Sequence, residues 1–361
     1  MNNKVFIAAA GSGKTTYLVR KALAMPTERI LITTYTEDNA AEIKKKFIDE
    51  NKCVPSNVNI IPWFSFLLRD GVRPYQGMYY KRRIAGIKLV NGQSAKKIPE
   101  SNFRYHYLSD SETIYSDKVS KLVCQIDDKS NGAVISRLEK MYSHIFIDEI
   151  QDLAGYDLDF LKLIFASALN TILVGDPRQG TFVTNNSSKN KKYARSNIEN
   201  FFNDPSVKAM VEYDTTTLNV NYRCVQSICD FANSIFPEMS PANSGSTVTD
   251  YHLGVCFVKP QDVEEYIEEF HPVILRYNKN TPVSPSAKAI NFGKAKGRTF
   301  ERVLIYPTKT ITDWILFSKE MALETRSKFY VAITRPRLSV GIVCNPGDNN
   351  LHNIPIYTPL F

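Results

Sequence analysis

Apolar and polar positions along this chain fall into short blocks of two alternating kinds. "KVFIAAA" reads as a buried strand, and "KTTYLVRKALA" after the next loop carries helical spacing. "RILITTYT" predicts a second strand and "EDNAAEIKKKFIDE" a second helix. "VNIIPWFSFLLRDG" reads as a strand running into a helix, while "HIFIDEI" and "NTILVGDPRQG" are further apolar strands that end in polar residues. Strands alternating with helices predict a parallel sheet, whose ligands gather at the carboxyl ends of the strands.

Between roughly positions 70 and 140 this rhythm fades into a stretch rich in Tyr, Lys and Arg, such as "YQGMYYKRRIAGIK", which reads as an insertion outside the core. "VTNNSSKNKKYARSN" is a polar, basic loop. After Pro205 a second series begins: "VKAMVEYDTTTLNV", "VQSICDFANSIF", "HPVILRYN", "KAINFG", "RVLIYP", the helical "ALETRSKFYVAITR" and "SVGIVCN". The expected fold is therefore α/β with two lobes, the first over 1–210 and the second over 211–361.

Composition narrows the class. The 361 residues suffice for two domains, and 43% hydrophobic with 23% charged residues is a globular balance. A net charge of +8 favours a polyanionic partner. Six cysteines form no C-x-x-C pair, and the closest two, Cys224 and Cys229, fall in an apparent helix, so reduced thiols are expected rather than zinc or a disulfide framework. The five histidines suggest neither a metal cluster nor a catalytic triad. With no long apolar run and no signal-peptide pattern, the expectation is a cytoplasmic protein with no membrane partner.

Two segments carry chemistry. "GSGKTT" follows a strand and opens a helix, the setting of a phosphate loop. Backbone N–H groups and a helix N-terminus there attract phosphate. Lys14 is the candidate for the β- and γ-phosphates and Thr15 for Mg²⁺, with Ala10, Gly11, Ser12, Gly13 and Thr16 completing the nucleotide cradle. The strict pattern has a glycine where this chain has Ala8. In "HIFIDEIQD", Asp148 at the strand tip is the candidate for the Mg²⁺ shell, and Glu149 for deprotonating the attacking water.

"AAAGSGKT", "LITTYTEDNAAEIKKKF", "IDEIQD", "VGDPRQGTF", "LNVNYR", "FGKAKGRTFERVLI" and "FYVAITRPR" occur in this order, and together they resemble the motifs of UvrD/Rep-type superfamily-one DNA helicases. The resemblance implies two tandem RecA-like P-loop lobes with parallel sheets, ATP in the cleft between them, and 3′-to-5′ movement on single-stranded or tailed duplex DNA. It implies that Gln179 senses the γ-phosphate and that Arg223 and Arg335 act as arginine fingers. It also places Tyr222 on the adenine and Gly297 of "AKGRTF" at the nucleotide.

Sequence-tolerant strand binding needs aromatic platforms and cations. Thr34, Tyr35, Trp63, Phe64 and Phe182 are the candidates the family's motifs suggest, and Trp63 and Phe64 also read as core residues. Lys81, Arg82, Arg83, Lys189, Lys191 and Lys192 are candidates for phosphates or for a solvated face. Several positions depart from the family. Thr299 stands where a glutamate meets the ribose, Gly293 replaces a histidine, "GTFVTNN" lacks the DNA-stacking tryptophan, and only Met1 to Lys4 precede the first strand where an adenine-reading glutamine is usual. Both insertions are short, so the expectation is a motor that translocates without efficient unwinding or unwinds with a protein partner. The alternative is a nucleotide-gated DNA-binding or signalling subunit, and RNA remains open as the polymer.

Overall fold

The computed structural model describes residues 2–185, 187–284 and 288–359. They form two compact units, Met1–Ile7 with Lys14–Thr217, and Ala8–Gly13 with Leu218–Phe361.

The first unit is built on strands β1 (Asn3–Ala8), β2 (Ile30–Thr34), β3 (Val58–Pro62), β4 (His144–Ile147), β5 (Asn170–Gly175) and β6 (Glu212–Leu218). Their order across the sheet is β3-β2-β4-β5-β1-β6. Each of the four pairings from β3 to β1 is parallel. Parallel strands are buried on both faces, which accounts for the unbroken apolar runs. Helix α1 (Lys14–Leu23) follows the loop after β1, and α2 (Glu37–Asn51) follows β2. Local chemistry sets the ends of α2. Thr36 accepts from the Asn39 N–H, Glu37 and Asp38 fill the first turn, and Lys52 ends the helix in a left-handed conformation. Ala40, Ile43 and Phe47 form its buried stripe.

The faded stretch is only partly an insertion. Helices α3 (Val119–Lys129) and α4 (Ala133–Met141) lie within it, α5 (Tyr156–Phe165) follows β4, and Leu122, Val123, Ile126, Val134 and Leu138 are fully buried in the first core. The part before them is short and irregular, braced by Phe103 stacked between Tyr79 and Tyr107. The expected lobe boundary at 210 also moves. "EYDTTTL" reads as part of the second series, but as β6 it lies beside β1 at the edge of the first sheet. Its threonine-rich pattern, with only Leu218 buried, suits an edge and carries no core signal.

The second unit holds α6 (Gln226–Ile235), β7 (Gly254–Val258), α7 (Val263–Phe270), β8 (Val273–Arg276), β9 (Ala289–Asn291), β10 (Phe300–Tyr306), α8 (Lys309–Phe317), α9 (Leu323–Ile333) and β11 (Pro336–Val343). The sheet order is β7-β11-β10-β8-β9, parallel throughout. Phe329, Ile333, Val340, Ile305 and Phe257 anchor its core at 0% exposure. Burying a side chain of this kind stabilises by roughly 1.5–3 kcal/mol. Cys224 precedes α6 rather than lying in it, and all six cysteines are free thiols.

Candidate functional site

The first unit brings the ends of β1, β4 and β5 to one edge, because neighbouring parallel strands point their carboxyl ends the same way. Lys14 is the first residue of α1 and is buried. The next hydroxyl, Thr15 Oγ1, donates to Asp148 Oδ2 at 2.8 Å. Asp148 directly follows β4, and its Oδ1 accepts the Glu149 N–H at 2.9 Å. Two motifs separated by over a hundred residues thus meet in one hydrogen bond. Burial first, then the charge of Glu149, pushes the Asp148 carboxyl up to about 7, against Lys14 and the Thr15 hydrogen bond.

Glu149 has a left-handed backbone, with φ of 58°. For a residue with a Cβ this costs about 1–2 kcal/mol. This left-handed residue lies between the strand end and the turn Ile150–Asp152. Beyond β5, Asp176 caps the turn Pro177–Gln179. Asp176 Oδ2 accepts from Gln179 Nε2 at 2.9 Å, and Oδ1 accepts from Arg178 Nε at 2.8 Å. Gln179 is therefore positioned by a buried carboxylate.

The phosphate-loop residues Ala8–Gly13 group with the second unit. Gly11 and Gly13 have φ of 71° and 79°, which only glycine adopts freely. A Cβ on Gly11 would meet Asn221 Oδ1 at 2.4 Å, so glycine is also required sterically. Tyr222 N–H donates to the Gly11 carbonyl at 3.0 Å, Ala9 N–H to Leu218 at 2.8 Å, and Ala10 N–H points at the Tyr330 hydroxyl at 3.5 Å. Thr16 is half-buried in the first turn of α1.

Arg223 and Arg335 converge on Thr334 within the second unit. Arg223 Nη1 donates to its carbonyl at 3.0 Å, and Arg335 Nη2 to its hydroxyl at 3.2 Å. Arg335 is buried and also donates to the Val331 carbonyl through Nε. Tyr222 is 66% exposed, an open ring on the surface. Gly297, at φ 82°, sits in an exposed turn between Phe292–Ala295 and β10.

The aromatic candidates divide. Trp63 is 1% exposed, and its indole N–H donates to Asp157 at 2.7 Å. A ring packed on Phe66 and Phe160 has no face for a base, so Trp63 is corrected to core. Phe64 and Thr34 are also buried, and Thr34 Oγ1 accepts from Asn39. Neither side chain is open to a strand in this structure. Tyr35 is half-buried with its edge to Phe64, and Phe182 is 43% exposed.

A nucleoside triphosphate and a divalent cation fit these residues. The buried Ser12 hydroxyl has no hydrogen-bond partner among the described residues, and a phosphate oxygen suits it. Thr15 Oγ1 and Asp148 Oδ2 form a hard oxygen pair, the kind of limited protein ligation that Mg²⁺ accepts alongside phosphate and water. Sequence reading missed Gln151, whose side chain lies between Glu149 and Asp176.

Lys14 and Thr15 opening a helix, with the Thr15 hydroxyl bonded to an acidic strand end of a parallel sheet, are the arrangement of a P-loop nucleotide hydrolase. Residues 89–201, which include Asp148, Glu149 and Gln179, match the family model of the UvrD/REP helicase N-terminal domain. A curated relative, "Probable DNA helicase" of Mycoplasma pneumoniae (strain ATCC 29342 / M129 / Subtype 1), is 23% identical over 434 residues, covering 92% of this chain and 79% of its own. Among solved structures, the PRRSV helicase aligns at TM-score 0.45 and 16% identity, covering 98% of this chain and 54% of its own. The complex of Arterivirus nonstructural protein 10 (helicase) with DNA aligns at TM-score 0.47 and 15% identity, covering 95% and 60%. The chain thus spans little more than half the length of these solved helicases. Among the described residues no helix is long and apolar enough to cross a membrane.

Proposed function

We propose that this chain is an ATP-dependent motor on single-stranded DNA, moving 3′ to 5′. The observation that carries the reading is the 2.8 Å hydrogen bond from Thr15 to Asp148, which sets the start of α1 beside the acidic strand end. Lys14 neutralises the β- and γ-phosphates while the loop from Ala10 to Gly13 and Thr16 wraps them. A divalent cation, when bound through Thr15 and Asp148, supplies charge to the phosphate oxygens. Glu149 orients the attacking water and accepts its proton. Gln179 reads the terminal phosphate, and Arg223 and Arg335 supply cationic charge to the transferring phosphoryl. Tyr222 offers its exposed ring to the base and Gly297 its backbone to the nucleotide.

The strand is held by Phe182 and Tyr35, and by Thr34, Trp63 and Phe64 only through the segments they anchor. Lys81, Arg82 and Arg83, all exposed, add phosphate contacts. Cycles of ATP binding and hydrolysis change the grip of the two units on the strand and produce stepping. The test is ATP turnover with and without single-stranded DNA, followed by strand displacement on a 3′-tailed duplex. Turnover without displacement favours a chain that needs a protein partner to unwind.

A further inference from the structure

We propose that Gln151 is a positioning residue that holds the Glu149 carboxylate and ties it to the Asp176–Gln179 turn. The inference rests on the reading of Glu149 as the general base.

Gln151 lies in the turn Ile150–Asp152 directly after Glu149 and is 0% exposed. Its Nε2 donates to Glu149 Oε2. Its Oε1 accepts the backbone N–H of Asp176 at 3.0 Å. The orientation of the amide follows from these partners. A backbone N–H can pair only with the carbonyl end, so the NH₂ end must face the carboxylate. The carboxylate of Asp176 in turn holds Gln179 and Arg178. One side chain therefore links the proposed base to the proposed phosphate sensor.

Two further features leave the amide little freedom. A Cβ on Gly175 would meet Gln151 Oε1 at 2.5 Å and Ile150 Cγ1 at 2.5 Å, so a larger residue at this strand end would push the amide aside. The backbone at Glu149 is itself held at φ of 58°, which fixes where its side chain starts. A shift of the Asp176–Gln179 turn moves the acceptor end of the amide, and the donor end moves with it. The turn that reads the terminal phosphate then also sets the aim of the carboxylate that activates water.

The experiment uses the full chain and three variants, Gln151→Met, Gln151→Glu and Glu149→Gln, with the double variant Glu149→Gln/Gln151→Met. Steady-state ATP turnover gives kcat and KM, and a fluorescent ATP analogue gives nucleotide affinity. Gln151→Met lowers kcat by about 10–100-fold, the range for groups that orient a catalytic one, with nucleotide affinity kept within about twofold. Gln151→Glu keeps the size and the acceptor but loses the donor, and shows the same split even if the methionine variant folds poorly. The double variant is no slower than Glu149→Gln alone, because Gln151 acts through that carboxylate. Wild-type kcat in Gln151→Glu, or a double variant clearly slower than Glu149→Gln, overturns the inference. Full turnover in Glu149→Gln overturns the reading of the base itself, and this role with it.

Discussion

The indole N–H of Trp63 donates to the Asp157 carboxylate at 2.7 Å, and both residues are fully buried. Asp157 is a hub. It also accepts from Ser120 of α3, from the Thr184 hydroxyl and from the Ala154 N–H. The hub joins the segment after β3, a helix of the faded stretch, and the loops beyond β4 and β5. The loops beyond β4 and β5 carry Asp148 and Gln179.

Trp63→Phe keeps a ring but removes a donor from a buried carboxylate. The expected loss of stability is about 1–3 kcal/mol, read by denaturant unfolding. Affinity for single-stranded DNA should stay near wild type. A stable variant with greatly weakened DNA binding would return Trp63 to the strand-binding surface.

The chain has two tryptophans, Trp63 in the first unit and Trp314 in the second. In Trp63→Phe, fluorescence therefore reports the second unit alone. His352 packs on Trp314 at 5.1 Å between ring centres. Burial lowers its affinity for a proton, and it does the same to His252, where Arg302 adds to the effect. Both histidines bind protons more tightly when unfolded. Their contribution is thus complete above about pH 6.5 and is lost as pH falls from there toward the depressed folded values. The melting midpoint of the second unit should drop between about pH 7.5 and pH 5.5, and His352→Phe should reduce the drop. A midpoint that rises on acidification would contradict this sign.

Lys81, Arg83, Lys96 and Lys97 are exposed in a stretch where Glu100 is the only acid from 71 to 109. If they touch phosphates, reversing them lowers the slope of log affinity against log salt by roughly 0.7 for each lost single-strand contact. An unchanged slope would mark them as a solvated face. Arg82 is a weaker candidate because it already pairs with Glu112 at 2.9 Å.

Much of the fold was legible because its strands are apolar runs bounded by Gly, Pro and acids. "KVFIAAA", "HIFIDEI" and "NTILVG" all became central strands of the first sheet. Helices α3 and α4 were hidden because Lys, Ser and Asp break up their buried stripe, and β7 because "SGSTVTDYH" before it reads as loop. At the site, Lys14, Thr15, Asp148 and Glu149 could be read because each has a fixed place in a motif. The links through Gln151 and Asp157 could not, because each depends on partners distant in sequence and on burial. A glutamine between two acids in "DEIQD" was the one available signal.

The most direct measurement is ATP turnover by the full chain with and without single-stranded DNA, alongside Glu149→Gln. The account predicts that DNA raises the wild-type rate and that Glu149→Gln loses about 10²–10⁴-fold while still binding nucleotide. A wild-type rate indifferent to DNA, or a Glu149→Gln variant as fast as wild type, would contradict it.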